Sequence, residues 1–134
     1  MIILTVVLHV AGLGTLYETA GRLPGGRRRV SVFLFLVRLA IAALLAVVLH
    51  GLESFIWAAA YLKLGALPSL RQATLFSLGA MTTYGSSGIE LAREWQLMGA
   101  LEALNGMLLF GLTTAFLFAI IQKLWSRRGH EGRF

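Results

Sequence analysis

The 134-residue chain has no cysteine, no aspartate and only two prolines, and charged residues make up just 13% of it. Without cysteine there is no disulfide framework, no thiolate metal site and no thiol nucleophile. The scarcity of charge argues against a soluble domain, where roughly a quarter of residues are charged. No Gly-rich phosphate loop with its lysine is present, and no nucleophile–base pair suggests itself. The three histidines, His9, His50 and His130, are expected at different depths, so neither a metal site nor a cofactor is anticipated and the chain does not read as an enzyme. The start of the chain lacks both the basic n-region and the small-residue cleavage site of a secretory signal. There is no internal repeat and no low-complexity segment.

What the chain does have is apolar length. Hydrophobic residues make up 57% and mean hydropathy is +0.78. The first apolar run, about Ile2 to Tyr17, is helical by length and roughly 24 Å long at 1.5 Å per residue. It ends at Glu18–Arg22, followed by Pro24, Gly25 and Gly26, which break a helix, and by Arg27, Arg28 and Arg29. The second run goes from Val30 to about Leu64, longer than the roughly 20 residues a span requires. Its far end gathers His50, Glu53, Trp57, Tyr61 and Lys63, expected at the outer face. His50, Glu53, Trp57 and Tyr61 recur at spacings of three and four and share one helix face, which either packs against the pore helix or the outer mouth or anchors the helix end at the interface. The third run, about Trp95 to Trp125, has an interfacial tryptophan at each end.

Between the second and third runs, Gly65–Pro68 stops the helix and Ser69 is a fair N-cap. Residues 70–81 form an apolar run of about twelve, too short to span and suited to a re-entrant or interfacial helix. Then comes Thr82-Thr83-Tyr84-Gly85-Ser86-Ser87-Gly88, which has no hydrophobic period. Irregular backbone is tolerated at membrane depth only where protein buries it or it lines water. Small residues let several such loops approach one axis, where carbonyl and hydroxyl oxygens can replace the hydration shell of a cation.

The net charge of +6 does not indicate a nucleic-acid partner, because the basic residues sit where membrane topology puts them. Arg22, Arg27, Arg28, Arg29, Lys123, Arg127, Arg128 and Arg133 fall on one side, and Lys63, Arg71 and Arg93 on the other. Positive-inside asymmetry then sets the N-terminus outside and the C-terminus in the cytoplasm. Arg27–Arg29 also offers a site for anionic lipid.

Phe76-Ser77-Leu78-Gly79-Ala80-Met81-Thr82-Thr83-Tyr84-Gly85 resembles the pore helix and the first half of the selectivity filter of potassium channels. Trp95 and Gly106 lie where that family has a tryptophan after the filter and a glycine hinge in the inner helix. Glu102-Ala103-Leu104-Asn105-Gly106 and Gly111–Phe118 are similar to the last helix of short bacterial ion-channel-domain proteins that carry an extra N-terminal helix. The second half of the filter differs. Ser86-Ser87-Gly88 stands where the family has Tyr-Gly-Asp.

The resemblance implies an all-α membrane protein of three transmembrane helices, with a re-entrant pore helix and filter loop between the second and third. Residues 1–21 are then the N-terminal span, 22–29 a basic cytoplasmic loop, 30–126 the pore domain and 127–134 a cytoplasmic tail. Within the pore domain, 69–81 is the pore helix, 82–88 the filter and 95–125 the inner helix. The implied activity is a homotetrameric cation channel in the cell membrane, conducting K⁺ or another monovalent cation past Thr82–Gly88. Glu102, Asn105 and Gly106 would support or gate the pore. The Ser86-Ser87 departure keeps a second expectation open, a non-conducting scaffold or accessory subunit that retains the pore fold.

Overall fold

The computed structural model describes residues 1–22, 32–85 and 88–129. The loop arginines Arg27–Arg29, the filter serines Ser86 and Ser87, and the tail from His130 lie outside the described residues. Four α-helices follow one another: α1 (Ile2–Arg22), α2 (Val32–Lys63), α3 (Leu70–Met81) and α4 (Gln96–Gly129), with a 3-10 turn, Arg93–Trp95, leading into α4. There is no strand among the described residues.

Two segments, Val32–Lys63 and Arg93–Gln122, are long and apolar enough to cross a membrane. Only 12% and 28% of their most apolar windows are buried within the chain. A core helix of a soluble protein would be mostly covered. Here Phe33, Leu44, Val47, Val48 and Leu52 on α2, and Leu104, Met107 and Phe118 on α4, present bare hydrocarbon outward. Membrane association follows from that exposure. α1 is helical beyond its apolar run, to Arg22, with Ile3, Val7 and Val10 exposed and Thr5 and His9 fully buried.

Side-chain pairs fix the directions. His9 meets Glu53 and Gly12 approaches Leu49, so α1 and α2 are antiparallel. Thr5 meets Asn105 and His9 meets Thr113, so α1 and α4 are parallel. α3 lies between α2 and α4, antiparallel to α2 (Phe76 on Tyr61, Met81 on Ser54) and parallel to α4 (Phe76 by Gly99, Met81 by Gly106). Its apolar neighbours are Trp57, Ala58, Tyr61, Leu67, Leu91 and Leu109, which form the core with Ala73 and Met81.

The expected outer-face group of α2 is located differently. Glu53 and Tyr61 are fully buried, Trp57 nearly so, and His50 is buried as well. The shared face of these residues turns into the bundle because α1, α3 and α4 all pack against it. The spacing located the face correctly, and its neighbours are protein rather than the bilayer interface.

Candidate functional site

α3 starts where the sequence expects. Ser69 has extended backbone and its Oγ accepts from the Gln72 amide at 3.3 Å. The helix ends at Met81, which is almost fully buried. Two contacts set its depth. Ser54 Oγ reaches Met81 Sδ at 3.1 Å, and Gly106 sits against the Met81 backbone, where an added Cβ would lie 2.4 Å from the Met81 carbonyl oxygen. Ser54 is nine residues short of Lys63 (63 − 54), and Gly106 is ten past Gln96 (106 − 96). At 1.5 Å per residue both are roughly 14–15 Å in from their helix ends, about half of a ~30 Å hydrocarbon core.

After Met81 the chain turns sharply. The Thr82 amide donates to Leu78 O, Thr83 to Ala80 O and Gly85 to Gly79 O, closing the C-terminal turn of α3. Three positions need left-handed backbone: Thr83 (φ 57°), Gly85 (φ 81°) and Gly88 (φ 78°). Glycine takes this at no steric cost. A β-branched threonine there is a genuine outlier, and strained backbone of this kind clusters at functional sites. Thr82, Thr83, Tyr84 and Gly85 are all exposed, Tyr84 by 85%. The hydroxyl proton of Thr82 goes to Leu78 O at 2.6 Å, which leaves its oxygen lone pairs unused. Tyr84 and Gly85 line a cleft of about 210 Å³ with Leu75, Leu78, Gly79 and Ile89.

Behind α3 lies a buried polar brace. Glu102, fully buried, accepts from Tyr61 Oη at 2.7 Å on Oε2, and its Oε1 is bonded to Ser77 Oγ. Ser77 Oγ also lies 2.7 Å from Ser54 O. The brace thus joins α2, α3 and α4. Asn105 points to another neighbour. Its Nδ2 donates to Thr5 Oγ1 at 2.9 Å and ties α4 to α1. Gly106 is a contact point between α4 and the end of α3, a close approach that any side chain would block.

A second polar cluster lies about one helical turn beyond Ser54. His9 Nδ1 is 2.9 Å from Glu53 Oε1, and His50 Nδ1 is 3.5 Å from Glu53 Oε2. Both Nε2 atoms lie 3.0 Å from Thr113 Oγ1. The imidazole centroids are 5.0 Å apart, and His50 stacks on Phe110 at 4.2 Å. One donor atom from each of His9, His50 and Glu53 falls within 4.8 Å of the others. The expectation that His9 and His50 lie at different depths is therefore corrected. Antiparallel packing brings the first half of α1 level with the middle of α2. Thr113 was missed as a partner, and nothing in its local sequence marks it.

The chain matches no protein-family model, no curated protein and no solved structure.

Proposed function

We propose that the chain is a membrane cation channel of the potassium-channel type, with α1, α2 and α4 as spans and α3 as a re-entrant pore helix. The observation that carries this reading is the place where α3 stops. Its C-terminus lies roughly 14–15 Å in from the Lys63 end of α2 and the Gln96 end of α4, beside Ser54 and Gly106, and hands over to exposed, irregular, oxygen-rich backbone at Thr82–Gly85. Lipid cannot solvate such backbone, so it needs protein or water around it. A ring of identical loops around a symmetry axis supplies both.

In that ring the carbonyls of Thr82, Thr83, Tyr84 and Gly85 take the place of a cation's hydration shell. The resemblance assigns the outer part of the filter to Ser86, Ser87 and Gly88, of which the two serines lie outside the described residues. Four copies are carried over from the resemblance, and the permeant ion is K⁺ or another monovalent cation. The brace of Glu102, Tyr61 and Ser77 holds α3 against α2 and α4, so the loop starts from a fixed point.

The test is reversal potential across a K⁺/Na⁺ gradient with reconstituted full-length protein. A cation-selective current is expected, and Gly85→Ala abolishes it. At Gly85 no atom of the described residues lies within 4 Å of an added Cβ, so the substitution acts through φ +81° rather than through a clash. A stable tetramer that passes no K⁺, Na⁺ or Rb⁺ rejects the channel in favour of a scaffold.

A further inference from the structure

His9, His50, Glu53 and Thr113 take no part in the pore reading, and their hydrogen bonds impose a constraint of their own. Thr113 Oγ1 lies within bonding distance of the Nε2 atoms of both histidines. A hydroxyl has one proton to give and two lone pairs to accept with. If Thr113 gives its proton to one ring, that ring holds its own proton on Nδ1, and the other ring, donating from Nε2, turns a bare Nδ1 lone pair toward Glu53. His9 Nδ1 sits at hydrogen-bond distance from Glu53, so the bare atom is His50 Nδ1. It faces Glu53 Oε2 at 3.5 Å, and both atoms are buried without a hydrogen-bond partner. Two acceptors opposed in a buried site repel each other unless a cation or proton lies between them.

The alternative arrangement satisfies both Nε2 atoms at one hydroxyl and requires a cation between the Nδ1 atoms and the carboxylate. If both rings carry their protons on Nε2, both donate to Thr113 Oγ1, which accepts with its two lone pairs. Both Nδ1 lone pairs and the carboxylate then converge. We propose that His9, His50 and Glu53 form a binding site for a divalent transition-metal ion of the zinc type, with Thr113 as the outer partner that holds both imidazoles in the ligating tautomer.

His50 Nδ1 and Glu53 Oε2 already stand 3.5 Å apart, and His9 Nδ1 and Glu53 Oε1, at 2.9 Å, would part by a few tenths of an ångström to admit an ion. Metal bonds of about 2.0–2.1 Å meeting near the tetrahedral angle set donor atoms roughly 3.3–3.5 Å apart. Two imidazoles and one carboxylate select zinc, cobalt or nickel over Mg²⁺ or Ca²⁺, which prefer all-oxygen sites. Three protein ligands leave a fourth position for water or another small ligand. A ligating histidine characteristically donates its other N–H to an oxygen, and both Nε2 atoms lie 3.0 Å from one hydroxyl that can accept from them. The His50 side chain is 11% exposed while those of His9 and Glu53 are fully enclosed, so entry is along the His50 edge. The bound ion would staple α1 to α2 one turn from the end of α3. The site stands on its own geometry whether or not the chain conducts.

Full-length protein is purified in detergent, stripped with a chelator and titrated with Co²⁺ and then Zn²⁺. One Co²⁺ per chain is expected, with the intense visible absorption of a four-coordinate site, imidazole nitrogen in the X-ray absorption spectrum, and displacement by Zn²⁺. His9→Ala and Glu53→Gln lower affinity at least 100-fold. Thr113→Val lowers it about 10- to 100-fold through the outer shell, and His130→Ala leaves it unchanged. Failure to take up Co²⁺, uptake with a weak octahedral spectrum lacking imidazole, or undiminished binding in His9→Ala and Glu53→Gln overturns the proposal. Where a variant does not fold, the wild-type stoichiometry and ligand spectrum decide alone.

Discussion

At the scale of single residues, the proton count around Glu102 sets its chemistry. Ser54 O and the two Glu102 carboxyl oxygens are three acceptors, and the Ser77 and Tyr61 hydroxyls bring two protons. A proton on Glu102 Oε1 completes the set, with Ser77 passing its own proton to Ser54 O. A neutral acid also avoids the cost of a lone buried carboxylate. Glutamine can imitate that acid, its amide donating to Ser77 and its carbonyl accepting from Tyr61. Glu102→Gln should therefore stay within about 1 kcal/mol of wild type in detergent unfolding, while Glu102→Ala opens a cavity and orphans the Tyr61 hydroxyl at about 2–5 kcal/mol. Tyr61→Phe leaves Oε2 without a donor and should cost about 1–3 kcal/mol. Equal losses for Gln and Ala at position 102 would show that the proton count is wrong.

Thr83 belongs to the same scale. Its left-handed backbone (φ 57°) costs about 1–2 kcal/mol for an L-residue. Thr83→Gly relieves that cost and should raise stability by about 1 kcal/mol, while loosening the loop and lowering current in the reconstituted assay. Gains in both stability and current would mean that the strain serves no purpose in the loop.

At the scale of elements, lengths and breaks were legible and register was not. The twelve-residue run, its Ser69 cap and its stop at Met81 follow from apolar length, a serine after Pro68, and the threonine–glycine stretch beyond. That His50, Glu53, Trp57 and Tyr61 share one face of α2 follows from their spacing of three and four residues, and that the face turns inward does not. What that face meets depends on how far α1 and α4 slide along it, and no local pattern carries this. His9 and Thr113 look like isolated polar residues until packing aligns them. α1 outruns its apolar stretch because helix continues through Glu18 to Arg22, where hydropathy no longer reports it.

Two glycines of α4 separate contact from flexibility. Gly106 abuts the Met81 backbone, which cannot move aside as a side-chain tip would, whereas Gly111 has nothing within 4 Å of an added Cβ. Gly106→Ala should push α4 off the end of α3 and destabilise by about 1–3 kcal/mol. Gly111→Ala should be neutral, or stabilising by up to about 1 kcal/mol through helix propensity. Thermal unfolding of the two variants side by side checks this. Equal tolerance at both positions would remove the tight α3–α4 contact.

At the scale of the whole molecule, the open matter is whether α1 crosses the bilayer with α2 and α4. Its helix runs 21 residues, of which the apolar part, Ile2 to Tyr17, makes about 24 Å, a length that a span accommodates by local thinning of the bilayer. Its buried side carries Thr5 and His9, and its exposed side Ile3, Val7 and Val10. A helix lying in the interface plane would present a polar face to water, but here the polar residues are already consumed by α2 and α4. On the proposed three-span reading, the start of the chain and the segment before α4 would face outside and the loop between α1 and α2 inside. A chain without cysteine suits single-cysteine labelling with a membrane-impermeant maleimide on intact cells. A cysteine placed ahead of Met1 and Glu90→Cys should label, and Gly26→Cys and Gly132→Cys should label only after permeabilisation. If α1 lay on the surface instead, the cysteine ahead of Met1 and Gly26→Cys would respond alike, and the third span would be lost while α2 and α4 kept theirs.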